Sequence, residues 1–314
     1  QRGSLSPTHS LAGVAELRKL LREIKPDILH NISLKPVLLG GIASFLLIRR
    51  PPRSTLFPYT TLFVGNHRKS ELTRPLVVAA LKALLKRQGS RTIVQNPDDK
   101  RFVLGLGVPE ESVDLIPGSG VDTEHFVPLP EPPPPVTAAY VGRMLADKGV
   151  ITLIQAYSLA TSRGVKLQLL LAGDTDRENP GSLAPEQLRE FASAFGIRWL
   201  GHVADIREVW AKAHIAVLAS RREGLPKSLL EAAACGRPMI ATDTPGCREI
   251  AISDETALSF PVDNPEALAE ALTRMAGDAE MRARFGRNAR AMVEAKFSAE
   301  AIGKETVALY QSLA

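Results

Sequence analysis

From residue 138 onward, short apolar runs take turns with helical segments, and few folds accept that rhythm. AAYVG (138–142), KLQLLLA (166–172), IRWL (197–200), IAVL (215–218) and PMIAT (238–242) have the length and near-continuous apolarity of buried parallel strands. Helical patterns fill the intervals at 150–162, 185–195, 206–213 and 228–235, and return at 265–277, 280–294 and 298–313. A strand followed by a helix, repeated, predicts a doubly wound α/β domain with a parallel sheet.

The first 130 residues carry a weaker version of the same alternation. An amphipathic helix is expected over 14–24, a strand over 27–32, a helix over 76–87, and strands over 92–95 and 113–116. The run 128–135, PLPEPPPP, reads as a stiff linker, because proline fixes φ and donates nothing to a ladder. It sets an expected division into 1–130, 131–298 and a final helical segment, 299–314. One stretch breaks the pattern. SFLLIRRPPRSTLFPYTTLF (44–63) shows neither periodicity and resembles translated sequencing-adapter sequence, so no function is assigned to it. The chain also opens on Gln1 without a Met, and the first domain is expected to be incomplete.

Charge is unevenly spread. Residues 1–130 hold 18 Lys and Arg against 11 Asp and Glu, a balance of +7, whereas residues 131–314 hold 21 against 23, a balance of −2. A basic half faces nucleic acid, anionic lipid or phosphorylated substrate, or is simply solvated. The two cysteines, Cys235 and Cys247, both lie in segments that read as buried, which suits a reduced compartment better than a disulfide framework. The longest nearly apolar stretch, 37–48, falls short of the roughly 20 residues a spanning helix needs.

In an open parallel sheet, ligands bind beyond the carboxyl ends of the strands. Two such ends stand out. The strand at 138–142 runs into GRMLADKG, which offers Arg143 and Lys148. The strand at 215–218 runs into SRREGLPKSLLE, which offers Glu223, Glu231 and the amides of a helix start, a natural phosphate cradle. Together they suit a ligand with a diphosphate in the middle and hydroxyls at both ends, the form of a nucleotide-sugar. Each residue has a plainer reading too. Ser228 and Glu231 have capping-box spacing, Arg143 and Lys148 could be solvated loop cations, and Glu223 could belong to a surface ion pair worth under about 1 kcal/mol.

VGRMLADKGV (141–150), LLLAGDTDRENP (169–180), LIPGSGVD (115–122) and the long run 199–250 resemble the bacterial retaining glycosyltransferases of family 4, which have the two-domain GT-B architecture. Glu223 and Glu231 match that family's E-x7-E motif. The resemblance implies two facing Rossmann-like domains, a UDP-sugar donor used as substrate, no cofactor, no metal and retention of anomeric configuration. It implies that Arg143 and Lys148 stabilise the departing diphosphate, with Gly142 in the same loop, and that Glu223 takes sugar hydroxyls. Glu231 would take the ribose hydroxyls. The backbone of Gly224, Leu225, Pro226, Lys227, Ser228 and Leu229 would cradle sugar and phosphate, and His202 and Val203 would lie against the base. The implied acceptor is a surface polysaccharide or lipid-linked glycan such as lipopolysaccharide, at the cytoplasmic face of the membrane, and the basic first half agrees with peripheral contact there. No nucleic-acid partner is implied.

Other signals are weaker. Asp174-Thr-Asp176 has the D-x-D form that binds metal in a different glycosyltransferase fold, but follows a strand of this one. His30, His67, His125, His202 and His214 lack metal-ligand spacing, His9 is expected in a frayed opening segment, and neither Gly105-x-Gly107 nor Gly118-x-Gly120 continues as a dinucleotide fingerprint. Two alternatives stay open: an epimerase of the same architecture acting on its nucleotide-sugar alone, and a non-catalytic nucleotide-sugar-binding remnant. With the acceptor side expected to be incomplete, turnover by this chain alone is not expected.

Overall fold

A computed structural model describes residues 7–32, 34–46, 53–57, 68–87 and 89–313. The chain divides into two compact units, residues 1–118 with 303–314, and residues 119–302.

The first unit alternates α1 (Pro7–Ile24), β1 (Ile28–Ile32), α2 (Leu34–Phe45), β2 (Arg53–Phe57), α3 (Arg68–Leu85), β3 (Ser90–Val94), α4 (Pro97–Gly105) and β4 (Val113–Leu115). The four strands are parallel and stand in chain order, β1-β2-β3-β4. β2 corrects the aperiodic reading of 44–63: RSTLF pairs on one side with β1 and on the other with β3. Prolines 51, 52 and 58 bound this strand rather than interrupt it, and a central parallel strand needs no alternation. Residues 47–52 and 58–67, His67 among them, lie outside the described residues. His9 falls within α1.

The second unit contains β5 (Val136–Val141), α5 (Val150–Ser162), β6 (Leu167–Ala172), α6 (Pro185–Phe195), β7 (Arg198–Gly201), α7 (Arg207–Lys212), β8 (Ile215–Leu218), α8 (Lys227–Ala234), β9 (Met239–Thr242), β10 (Ala257–Phe260), α9 (Pro265–Gly277) and α10 (Ala279–Lys296). A last helix, α11 (Ala299–Leu313), crosses the division at 302. The sheet is parallel in the order β10-β9-β8-β5-β6-β7. Its order reverses between β5 and β8, because β5 pairs with β6 on one edge and β8 on the other. All four residues of β8 and of β9 are buried, as the apolar runs predict. Leu153 on α5, Leu169 and Leu171 on β6 and Leu272 on α9 fill the same core, where truncation of one leucine to alanine costs about 2–5 kcal/mol. The strand at 257–260 is additional to the expected set; ALSF is too short and too mixed to announce itself.

The division falls elsewhere than 130, for a reason the prolines conceal. The Val121 amide donates to Phe297 O (2.9 Å) and the Ala299 amide to Val121 O (2.9 Å), which ties 121 to the second unit. The proline run lies on that unit rather than spanning a gap. Leu129 donates to Cys235 O, Arg237 donates to Pro130 O and Arg282 pairs with Glu131. Proline has no donor, but the carbonyls of the run still accept.

Candidate functional site

The loops at the carboxyl ends of β5, β6, β7, β8 and β9 form a continuous row, held by backbone contacts. After β5, the Met144 amide donates to Asp174 O and Leu183 donates back to Met144 O, joining that loop to the one after β6. Gly173, in the latter, donates to Gly201 O at the end of β7 (2.7 Å). The β5 loop also meets β8. Arg221 N donates to Asp147 O (3.0 Å), and a Cβ on Gly149 would stand 1.9 Å from Ala219 O. With φ at +70° as well, residue 149 must be glycine. The β9 loop closes the row at Gly246 (φ +80°), where a Cβ would stand 2.4 Å from Gly224 O.

Within this row one sequence-derived cation meets one sequence-derived carboxylate. Lys148 Nζ lies 2.6 Å from Glu223 Oε1, although the two are 75 residues apart. Both side chains are mostly buried, which makes this more than a surface ion pair. Arg143 is more exposed and pairs with Asp176 at 2.9 Å. Its loop is fixed from beneath by the Tyr140 hydroxyl, which donates to Arg143 O at 2.8 Å. Burial first, then the Glu223 charge, pushes the Tyr140 phenol far above its ordinary range. Gly142 sits over this tyrosine; a Cβ there would stand 2.8 Å from the hydroxyl.

Glu231 lies one helical turn inside α8 and is 9% exposed. Its carboxyl is pushed above the usual carboxylate range by burial, partly offset by Lys227, whose Nζ stands 3.8 Å away. The capping-box reading does not hold. The N-cap of α8 is Pro226, which has no side chain to cap with, and the helix begins at Lys227, so Ser228 is already inside it. The amides of Lys227 and Ser228 precede the first intrahelical bond, whereas Leu229 donates to Pro226 O and buries its side chain. The cradle therefore has fewer amides to offer than the span to Leu229 suggested. Leu225 is half-buried against the core, and Gly224 touches the β9 loop.

His202 is exposed and Val203 half-buried just beyond β7, at the far end of the row from β9. Glu231 and Lys227 also line a cavity of about 640 Å³ with Gly120, Asp122 and Asp205. Sequence reasoning gave the motif at 115–122 no role, and its second half forms this wall. Asp176, of the D-x-D pair, accepts from Arg143 and from the Glu178 amide. Among the described residues no group of three His, Cys, Asp or Glu side chains is arranged to hold a metal ion, and no helix is long and apolar enough to cross a membrane.

Two parallel-sheet α/β units, the second with its strand order reversing between β5 and β8, are consistent with the GT-B fold. The structure superposes on that of Anabaena HepE, solved in complex with UDP and glucose, with a TM-score of 0.79 at 19% identity, covering 95% of this chain and 81% of that one. Residues 121–292 match the family of glycosyl transferases group 1, and residues 2–125 match glycosyltransferase family 4. The chain belongs to the group 1 glycosyl transferases. It is 25% identical over 299 residues to the N,N'-diacetylbacillosaminyl-diphospho-undecaprenol alpha-1,3-N-acetylgalactosaminyltransferase of Campylobacter jejuni, covering 92% of this chain and 78% of that protein. It is 29% identical over 173 residues to the capsular polysaccharide biosynthesis glycosyltransferase CapM of Staphylococcus aureus, covering 55% of this chain but only 45% of that protein. These matches lend the epimerase alternative no support.

Proposed function

We propose that this chain binds a UDP-sugar at the carboxyl ends of β5 and β8, and that its protein transfers the sugar to a polysaccharide or lipid-linked glycan at the cytoplasmic membrane face, with retention and without a metal. The observation that carries the reading is the Lys148–Glu223 pair at the strand reversal. One cation and one carboxylate from two different crossovers meet where an open sheet accepts ligands. The names of the relatives, which act in capsule and lipid-linked glycan assembly, support the acceptor class, and the UDP complex of HepE supports the donor.

The chemistry follows from charge. As the glycosidic bond to the diphosphate breaks, negative charge grows on the leaving oxygens, and preorganised donors at that point lower the barrier. Lys148, Arg143 and the amides of Lys227 and Ser228 supply them. Glu223 accepts hydroxyls of the sugar and Glu231 those of the ribose. Donor entry draws Lys148 toward phosphate and leaves Glu223 free to accept. The acceptor attacks from the face the diphosphate leaves, and its proton passes to a departing phosphate oxygen. No protein nucleophile takes part.

Calorimetry of the full chain with UDP and a panel of UDP-sugars tests the site. Saturable binding that Lys148→Ala weakens is the expected result; absence of UDP binding would overturn the reading. Turnover on a lipid-linked acceptor, unchanged by EDTA, separates an enzyme from a binding remnant and tests metal independence.

A further inference from the structure

A second cavity, of about 410 Å³, opens at the amino ends of the strands of the same sheet, beside His214 before β8 and Pro238 before β9. None of the residues assigned to the donor lines it. Four arginines do, Arg237, Arg282, Arg287 and Arg290, against two carboxylates, Glu131 and Glu294, an excess of two positive charges.

Backbone geometry concentrates these cations. A Cβ on Gly286 would stand 2.2 Å from Gly236 O, so only glycine lets α10 approach the end of α8 this closely. That approach sets Arg282 and Arg290, one turn to either side of Gly286, beside Arg237. Every nitrogen of Arg290 has a partner: it donates to Thr123 O, Phe126 O and Ala234 O and pairs with Glu294. It contributes charge only.

Arg237 and Arg282 are different. Arg237 is 2% exposed and Arg282 7%. Arg237 donates through Nε to Trp210 O and through Nη2 to Pro130 O, which leaves Nη1 without a partner. Arg282 donates through Nε to Glu131 (2.6 Å) and through Nη1 to Met275 O and Ala276 O, which leaves Nη2 without one. Neither nitrogen is among the sealed, unsatisfied buried atoms, and both residues line the cavity. Arg287 is exposed and makes no side-chain bond. His214 adds no charge. It accepts the Thr137 amide (3.1 Å), and burial, reinforced by Arg282 and Arg237, holds its imidazole below its ordinary range despite the opposing Glu131.

Two buried guanidinium groups keep open donors in a cavity of small-ligand size, and Arg237 is bonded only to carbonyls, with no carboxylate against its charge. We propose that this cavity is a second ligand site, specific for a phosphate group, inorganic or borne on a small metabolite. Arg237 Nη1 and Arg282 Nη2 would bind its oxygens, Arg287 would close over it, and Glu131 would compete with it for Arg282. The site is independent of the donor reading, since it shares no residue with it.

The test is phosphate titration of the full chain by calorimetry at fixed ionic strength. Wild type should saturate. Arg287→Glu, at an exposed position with no protein partner, should weaken phosphate about tenfold. Glu131→Gln should tighten it several-fold by freeing Arg282, a gain that loss of a structural ion pair would not produce. Lys148→Ala should leave it unchanged. Failure to saturate, loss in Lys148→Ala with retention in Arg287→Glu, or a Glu131→Gln variant that binds no better would each overturn the proposal.

Discussion

The two sheets are built from the same repeat and differ in one topological respect. In the first unit every described crossover moves the chain one strand in the same direction, β1 to β4, so successive loops step across the sheet without parting. In the second, the crossover from β7 to β8 carries the chain back past β5, so the crossovers after β5 and β8 leave the sheet in opposite directions, the place where open parallel sheets bind ligands. Among the described residues the second unit has one continuous core, whereas the first has clusters around Val37, Leu81 and Val103, and around Val14 and Leu21. Similar local sequence thus yields a strand-order reversal in one sheet and none among the described strands of the other.

The sharpest way to break this comparison is to substitute matched glycines. Gly149→Ala should destabilise the second unit by about 3 kcal/mol or more and abolish UDP binding, because the methyl meets a carbonyl at a positive φ. Gly105→Ala in the first unit, at the end of α4 with open space around it, should change stability by about 1 kcal/mol or less. Urea denaturation of both variants checks the difference, and equal costs would mean that the loop crossing at 149 is not tight.

Next in size, Lys148→Ala should weaken UDP by about 1.5–3 kcal/mol, the range of a hydrogen bond to a charged group. Calorimetry showing no loss would reduce the Lys148–Glu223 pair to scaffolding.

Glu231→Gln should lower UDP affinity by about 1–2 kcal/mol while barely changing the melting temperature. Its pH dependence has a definite sign. The folded pKa is raised above the ordinary value of 4.5, so Glu231 favours folding below that value, and this contribution is lost as pH rises through the folded pKa. Wild type should therefore gain stability relative to Glu231→Gln as pH is lowered toward 4.5. UDP affinity should fall over the same window, because the neutral acid is the poorer acceptor of ribose hydroxyls. A pH-independent difference between the two proteins would remove burial as the cause.

The smallest effect is expected in the first unit. Arg91 and Asp114 form a two-point pair between β3 and β4, partly exposed. Asp114→Asn should cost about 1 kcal/mol or less and leave UDP binding untouched. A loss of UDP affinity there would show that the units are energetically coupled.

Much of this was legible in the residues, for physical reasons that vary along the chain. α5, α6, β8 and α9 have their expected limits because a fully buried parallel strand must be apolar throughout and an amphipathic helix must repeat at its own period. β2 and β10 escaped because strands of four or five residues flanked by proline or polar residues carry too little period to register. The proline run was misplaced as a linker because composition reports missing donors and is silent about which arginines take the carbonyls. At the site, residue types and spacing pointed to Lys148, Glu223 and Glu231. They could not reveal that Asp176 holds Arg143, that Asp147 and Asp263 both hold Arg221, or that Gly120 and Asp122 wall the cavity beside Glu231.

By itself the order of apolar runs and turns determined a parallel α/β chain and nominated two loops as ligand-bearing, because period and loop chemistry are local properties. Which carboxylate meets which cation was decided only by the tertiary structure. That choice depends on strand order, and no local period encodes the neighbour that a strand will take.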